Sequence, residues 1–401
     1  RWDVIVFKFP GGATINYIKR LIGLPGETIQ ITGGNIWTKK KEDASFQIAR
    51  KPPGRLSSML QLVDDTDHIP KRLTELGWPR RWQEWPESKG DASWQTDNGG
   101  KSYTIEAKDQ DIWLRYRHII PSHQDWQEIM AGKLPADAMT RRGMLITDFA
   151  AYNAPHSIRQ RKGPTKNLLR GTFDESEYDP SLPGPGESPD ARDSVGLHWA
   201  DDLALDTVAT IESDTGELTL DLVQAGIHHR CRINVADGKA TLSMTNPDGK
   251  DIPFDSSEGQ AAKAPVAQSS VKGAGKYRLR LSNVDRQVLL WVNGVVVQFD
   301  GPTTYECNEQ LAPVWTPADP LDLAPAGIAA KGCKVRVSSL KIHRDIYYIA
   351  ADDSGTNSDY SQLNQTYGVP LEELQAIQDL YSRPENWERE QALFTTRRQV
   401  E

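Results

Sequence analysis

Apolar and polar positions alternate in short runs along most of the chain, and long amphipathic helical stretches are scarce. The run Val4-Ile5-Val6-Phe7 is apolar and largely β-branched, as a strand should be. A second apolar run, Tyr17, Ile18, Leu21 and Ile22, surrounds a basic pair. Leu24-Pro25-Gly26-Glu27 punctuates, and Thr28-Ile29-Gln30-Ile31 alternates again. Gly33-Gly34-Asn35 predicts a hairpin turn into Ile36-Trp37-Thr38, and Lys39 to Lys41 read as a solvated boundary.

From about residue 45 to 348 the β texture continues between Gly, Asp and Asn turns. Ser102–Ile105, Ile112–Tyr116, Leu218–Leu222, Cys231–Val235, Lys334–Val337 and Leu340–Ile342 are such runs. Tyr277–Leu281 alternates, and an Asn293-Gly294 pair between Val288–Val292 and Val295–Phe299 is a strong short-range hairpin signal. Many antiparallel strands of this kind predict a sandwich or jelly roll. Two stretches, 159–192 and 249–275, are rich in Pro, Gly, Ser or Ala and read as loops. Beyond 349 a polar linker, Asp352–Ser358, precedes a short helix opened by Pro370 and carrying Leu371, Leu374, Ile377 and Leu380. Pro384 stops it, and Asn386 caps a second short helix through Leu393.

Composition narrows the functional classes. A net charge of −8 argues against a general nucleic-acid binder and against attraction to an anionic membrane surface. No apolar run approaches the ~18 residues that span a bilayer. Arg1 leads straight into a strand without a signal peptide, so the chain reads as a piece that begins in mid-domain. Cys231, Cys307 and Cys333 are odd in number and lack metal-ligand spacing. They read as three buried thiols, with a Cys307–Cys333 bridge as the alternative.

The segment with the sharpest chemistry is Arg1-Trp2-Asp3-Val4-Ile5-Val6-Phe7 followed by Tyr17-Ile18-Lys19-Arg20-Leu21-Ile22-Gly23-Leu24-Pro25-Gly26-Glu27. It resembles two consecutive boxes of the type I signal peptidases, in order and with a short gap. The family has Arg-Gly-Asp before a hydrophobic strand, and Trp2 stands where that Gly is usual. The resemblance implies that Lys19 is the general base of a Ser–Lys dyad, with Asp3, Tyr17, Arg20, Gly23, Pro25 and Gly26 in support. Serine is a weak nucleophile without an adjacent base, and lysine becomes one when burial favours its neutral amine. Strand alternation sets Lys19 and Arg20 on opposite faces, so one can point inward. Arg20 cannot be the base, because guanidinium stays charged. Taken alone, a Lys-Arg pair reads as an exposed strand-edge decoration.

The resemblance further implies a membrane-anchored serine endopeptidase that cuts signal peptides from preproteins on the extracytoplasmic face of the cytoplasmic membrane. It implies no cofactor and no metal. The family's serine lies upstream, near a membrane anchor, and its downstream Gly-Asp-Asn box is missing here. Ala351–Asp359 has only a similar flavour and reads as a linker. The expectation is therefore a soluble fragment, inactive by itself.

The predicted fold class is mainly β. Residues 1–44 form a partial signal-peptidase β core, 45–348 an inserted antiparallel β-sandwich, and 349–401 a helical tail returning to that core. The strand pair Lys276–Phe299 weakly resembles laminin-G and concanavalin-like folds. The insert reads as a carbohydrate- or protein-binding module beside what would then be a degenerate peptidase remnant. Trp78, Trp82, Trp85 and Trp94 are crowded together and could stack on a sugar, although core packing is the simpler role. Asp64-Asp65-Thr66-Asp67 and Asp201-Asp202 with Asp206 read as solvated turn carboxylates, with Ca²⁺ ligation as the alternative. His228 and His229 point to opposite faces of a strand and are poor joint ligands. A glycosidase would need paired carboxylates, which no strand motif supplies.

Overall fold

A computed structural model describes residues 1–9, 12–86, 92–148, 198–256, 263–306, 311–348 and 379–387. The chain is mainly β, as its alternation predicts. Val4–Phe9 and Gly12–Arg20 pair antiparallel as a two-stranded ribbon, with Val4 opposite Arg20, Ile5 opposite Lys19 and Phe7 opposite Tyr17. Glu27–Thr32, Asn35–Lys40 and Gln47–Ile48 form a separate three-stranded sheet. The Gly33-Gly34 turn between its first two strands has positive φ at both residues, as a tight hairpin requires.

Two eight-stranded antiparallel sheets make the sandwich. One runs, edge to edge, through Asp251–Ile252, Lys239–Thr245, Ile227–Asn234, Glu217–Gln224, Ala326–Lys331, Ile112–Tyr116 and Trp82–Glu84. The other runs through Val295–Val296, Gln287–Val292, Gly275–Val284, Leu203–Ile211, Lys334–Arg344, Ser102–Glu106 and Gln95–Asp97. Val266–Gln268 joins the first sheet off this path and Gln61–Asp65 the second. The alternation faces inward: Leu205, Leu281, Leu290 and Val337 of one sheet share a core with Leu220, Ile233, Leu242 and Ile328 of the other. Asn293 and Gly294 both take positive φ in the tight turn of the predicted hairpin.

Several expectations need adjustment. The three-stranded sheet continues past residue 44, because Gln47–Ile48 pairs with Asn35–Lys40. Within 249–275, Asp251–Ile252 and Val266–Gln268 are strands, since the exposed edge of Lys239–Thr245 offers them unpaired backbone groups. The stretch 159–192, most of the C-terminal tail and Cys307 lie outside the described residues. Cys231 and Cys333 are buried free thiols. The described part of the tail does not pack on the N-terminal segment. Leu380, Tyr381 and Trp387 pack with Leu145 and Leu323 instead, and Leu145 N–H donates to the Tyr381 carbonyl at 3.2 Å. Those apolar side chains find their complement on the sandwich side. No helix among the described residues is long and apolar enough to cross a membrane.

Candidate functional site

The two N-terminal boxes are tied to each other by charge and backbone. Arg1 pairs with Glu27, whose carboxylate also accepts the Leu24 N–H at 2.9 Å. The Arg1 guanidinium holds the Glu27 carboxyl below its ordinary range. Trp2 N–H donates to the Leu21 carbonyl at 2.7 Å, and Leu21 N–H donates back to Asp3 at 2.9 Å. Arg20 Nη1 donates to the Trp2 carbonyl at 2.7 Å, and Arg55 pairs with Asp3. Gly26 has φ +79° in the Pro25-Gly26 turn, a conformation glycine takes without steric cost. A Cβ on Gly23 would lie 2.3 Å from Ile29 Cδ1. Asp3, Arg20, Gly23, Pro25 and Gly26 thus frame the strand that carries Lys19.

Trp2 explains how a bulky residue stands where the resembled family has Gly. Its φ is +73°, the left-handed region that glycine favours. Its indole is 2 % exposed and packs with Ile36, Ala49 and Met59. Trp2 Nε1 donates to the Arg50 carbonyl at 3.1 Å, and Lys51 Nζ lies 4.7 Å from the ring centroid. Packing and a cation–π contact together offset the backbone cost of order 1–3 kcal/mol.

Lys19 itself is exposed, with Ile5, Tyr17 and Arg20 beside it half-buried. Its Nζ lies 5.8 Å from the centroid of the Tyr17 ring, which meets Phe7 edge-on at 6.1 Å. Ile5, Phe7, Tyr17 and Lys19 share one face of the ribbon, and Val4, Val6 and Ile18 the other. Val4, Val6 and Ile18 are 58, 64 and 66 % exposed. The expected inward-pointing lysine is therefore not buried, because a two-stranded ribbon has no second layer to cover it. Among the described residues no serine hydroxyl bonds to Lys19.

The tryptophans do not form a shared platform. Trp78, Trp82 and Trp94 are buried, with Trp78 Nε1 donating to the Ile119 carbonyl and Trp94 Nε1 to that of Ile112. Trp85 is half-buried, with the Arg117 guanidinium 5.0 Å from its ring centroid. The aspartate clusters are not solvated either. Asp64 pairs with Arg81 at 2.6 Å, Asp65 with Lys341 at 2.9 Å, and Asp206 with Arg280. Asp202 is buried away from Asp206 and meets Asp285 and Asp345 instead.

Two polar clusters could not be found by scanning neighbours in sequence. On the outer side of the first sheet, His228 Nδ1 lies 2.8 Å from Asp221 and Nε2 3.3 Å from Asp319. Arg115 pairs with Asp221 at 3.0 Å. Burial pushes the Asp221 carboxyl up, but His228 and Arg115 outweigh it and hold it well below the usual range. A carboxylate so locked in its ionised form and wholly buried is unsuited to the general-acid role of a glycosidase. His229, on the opposite face as expected, is buried beside Tyr305, with ring centroids 5.0 Å apart.

The second cluster joins the N-terminal segment to the sandwich. Lys51 Nζ lies 2.8 and 3.0 Å from the two Asp285 oxygens and 2.6 Å from Asp345 Oδ2. Burial alone would push the Lys51 ammonium down, but Asp345 and Asp285 raise it above its ordinary range. Asp202 Oδ2 accepts the Asp285 N–H at 2.9 Å. The only sequence clue was the Asp201-Asp202 pair, because Lys51, Asp285 and Asp345 come from distant turns and strand ends.

The sequence comparisons with known proteins fall on the N-terminal segment, which includes the framed ribbon. A family model described as signal peptidase, peptidase S26, matches residues 1–72. Signal peptidase I of Pseudomonas aeruginosa is 39% identical over 59 residues, 15% of this chain and 21% of that protein. Signal peptidase I of Pseudomonas fluorescens is 34% identical over 58 residues, 14% of this chain and 20% of that protein. The chain thus spans about a fifth of the length of the curated relatives it matches. Its N-terminal segment is signal-peptidase-like. Among solved structures, the carbohydrate-binding module CBM66 from Bacillus subtilis is similar over 66% of this chain and 93% of its own, at 8% identity and a TM-score of 0.26.

Proposed function

We propose that this chain is part of a membrane-anchored serine endopeptidase of the signal peptidase I type, with Lys19 as its general base. The observation that carries this reading is the pair of boxes, matched as peptidase S26 and bonded together around Lys19. The neutral amine would take the proton of a serine hydroxyl as that oxygen attacks the scissile carbonyl, and later pass it to the leaving amine. The apolar face of Ile5, Phe7 and Tyr17 supports this role. Covering that face with further protein or with a bound signal peptide would strip water from Lys19 and favour its neutral form. The substrates would be preproteins, met on the extracytoplasmic side of the cytoplasmic membrane.

The serine in this reading comes from outside the two boxes, so residues 1–401 by themselves should not cleave a signal-peptide substrate. In this reading the insert, expected at residues 45–348, starts after Gln47–Ile48, which pairs with the N-terminal sheet, and the strands from Gln61 to Arg344 pair with one another. The test is cleavage of a preprotein by the intact parent enzyme and its Lys19→Arg variant. Loss of turnover with an unchanged fold supports the reading. Full turnover by the variant removes Lys19 from the chemistry. Specific cleavage by residues 1–401, lost in Lys19→Ala, overturns the inferred placing of the serine.

A further inference from the structure

We propose that Trp2 and Lys51 are positioning residues that root the Lys19 strand on the sandwich, so that the insert sets the pose of the lysine box. This inference rests on the reading of Lys19 as general base. A base must stand within hydrogen-bond reach of the hydroxyl it serves, so its strand needs a fixed pose. The ribbon has no second layer of its own, and its pose is decided where it is rooted.

The root is residue 2. Its N–H donates to the Leu21 carbonyl at 2.7 Å, and its carbonyl accepts Arg20 Nη1 at 2.7 Å. Leu21 N–H donates to the Asp3 carbonyl at 2.9 Å. The two residues that follow Lys19 are thus bonded to the backbone of Trp2 and Asp3. A shift of Trp2 is therefore passed to the end of the Lys19 strand.

The sandwich in turn holds Trp2. Its indole Nε1 donates to the Arg50 carbonyl at 3.1 Å, and Lys51 Nζ lies 4.7 Å from the ring centroid. Arg50 and Lys51 are both fastened to the turn between Gly275–Val284 and Gln287–Val292. Arg50 Nε donates to the Asp285 carbonyl at 3.1 Å, and Lys51 N–H to Asp285 Oδ2 at 3.0 Å. Lys51 Nζ pairs with Asp285 at 2.8 Å and with Asp345 at 2.6 Å. Its ammonium therefore bridges the ends of two strands that flank Leu203–Ile211 in one sheet. Tyr348 completes the seat, with its ring centroid 6.1 Å from that of Trp2 and its N–H donating to the Gly34 carbonyl at 2.9 Å.

The residue type agrees with this role. At φ +73° glycine would fit the backbone without steric cost, and a bulky side chain is strained there. The indole is nevertheless present and 2 % exposed. What it adds over glycine is the contact with Arg50, Lys51 and Tyr348, which ties the ribbon to the sandwich.

The experiment measures kcat and KM of the intact parent enzyme on a preprotein, per folded chain, with the folded fraction read from near-ultraviolet circular dichroism. Trp2→Phe and Trp2→Leu both fill the site with an apolar group and share the backbone strain, but only Phe keeps a ring for the ammonium. Trp2→Leu should lower kcat by about tenfold or more with KM changed less than about twofold, as a displaced catalytic group does. Trp2→Phe should keep most of the turnover. Amide hydrogen exchange over Ile18–Leu21 should quicken in Trp2→Leu, while that of Leu203–Ile211 keeps its native rate. Lys51→Met gives the same test from the sandwich side, and the double variant should lose no more kcat than the larger single loss, because both act through one path. Native kcat in Trp2→Leu, or equal losses in the Leu and Phe variants, overturns this proposal and leaves the reading of Lys19 standing. Full turnover by Lys19→Arg overturns both.

Discussion

The ribbon Val4–Arg20 and the sandwich are built from the same kind of sequence, short β-branched runs with alternating faces, yet they end in opposite states. In the sandwich every inward face finds a second sheet, and Leu205, Leu218, Leu220 and Ile328 are fully buried. In the ribbon Val4, Val6 and Ile18 stay open to water on one face, and Phe7 and Lys19 on the other. The difference is one of layers, not of strand chemistry. A sheet is stable when its apolar face meets another layer, and a two-stranded ribbon has none of its own. What orders the ribbon is its base, where Arg1–Glu27, Arg20 to the Trp2 carbonyl and the buried Trp2 indole fasten the boxes together. The sandwich buries its apolar faces, and the ribbon holds Lys19 exposed on a small mount.

The comparison breaks most sharply at Lys19. In the intact parent Lys19→Arg should lower turnover by about a hundredfold or more, the usual worth of a general base, while the denaturant midpoint stays unchanged. A variant that loses stability along with activity would mean that Lys19 is structural. Lys51 sits at the seam between the two regions. Lys51→Met removes a wholly buried ammonium from Asp285 and Asp345, and should cost about 3–5 kcal/mol by chemical denaturation. Inside the sandwich, Leu220→Ala opens a cavity between the sheets and should cost about 2–5 kcal/mol in the same measurement.

Acid should strike the sandwich through buried histidine. Burial holds His229 down to about 4, below its ordinary 6.5. The unfolded chain therefore binds its proton first as pH falls, and the fold loses stability progressively below pH 6.5, until the folded form titrates near 4. The contribution is about 2 kcal/mol between pH 7 and pH 5. Urea melts of native and His229→Met protein at those two pH values check it: the variant should show the smaller pH dependence by that amount. The smallest effect belongs to the ribbon. Val6→Thr changes an exposed side chain and should move the unfolding free energy by no more than about 0.5 kcal/mol. A larger loss would show that a further layer covers the ribbon in solution.

Local signals carried far. Alternation placed the strands, Asn293-Gly294 and Gly33-Gly34 marked their turns, and the boxes from Arg1 to Glu27 marked the chemical segment, because turn conformation and strand facing are decided within a few residues. Burial was less legible. Trp78, Trp82 and Trp94 left a sugar platform open beside core packing, and all three fill the interior, with the Trp78 and Trp94 indoles bonded to backbone carbonyls. Trp2 looked like a misfit in a glycine position, and its meaning depends on Met59, Lys51 and Tyr348, which no local reading brings near it.

The sequence by itself determined the strand pattern, the mainly β class and the lysine box, all properties of residues close along the chain. Only the tertiary structure decided which faces are covered. It left Lys19 on an open ribbon, sent the described part of the tail to Leu145 and Leu323, and gathered Asn35, Lys51, Asp202, Asp285 and Asp345 at one seam. Coverage and charge pairing depend on contacts between segments hundreds of residues apart. Those contacts follow from which sheets stack and where strands end, and neither is encoded at any single position.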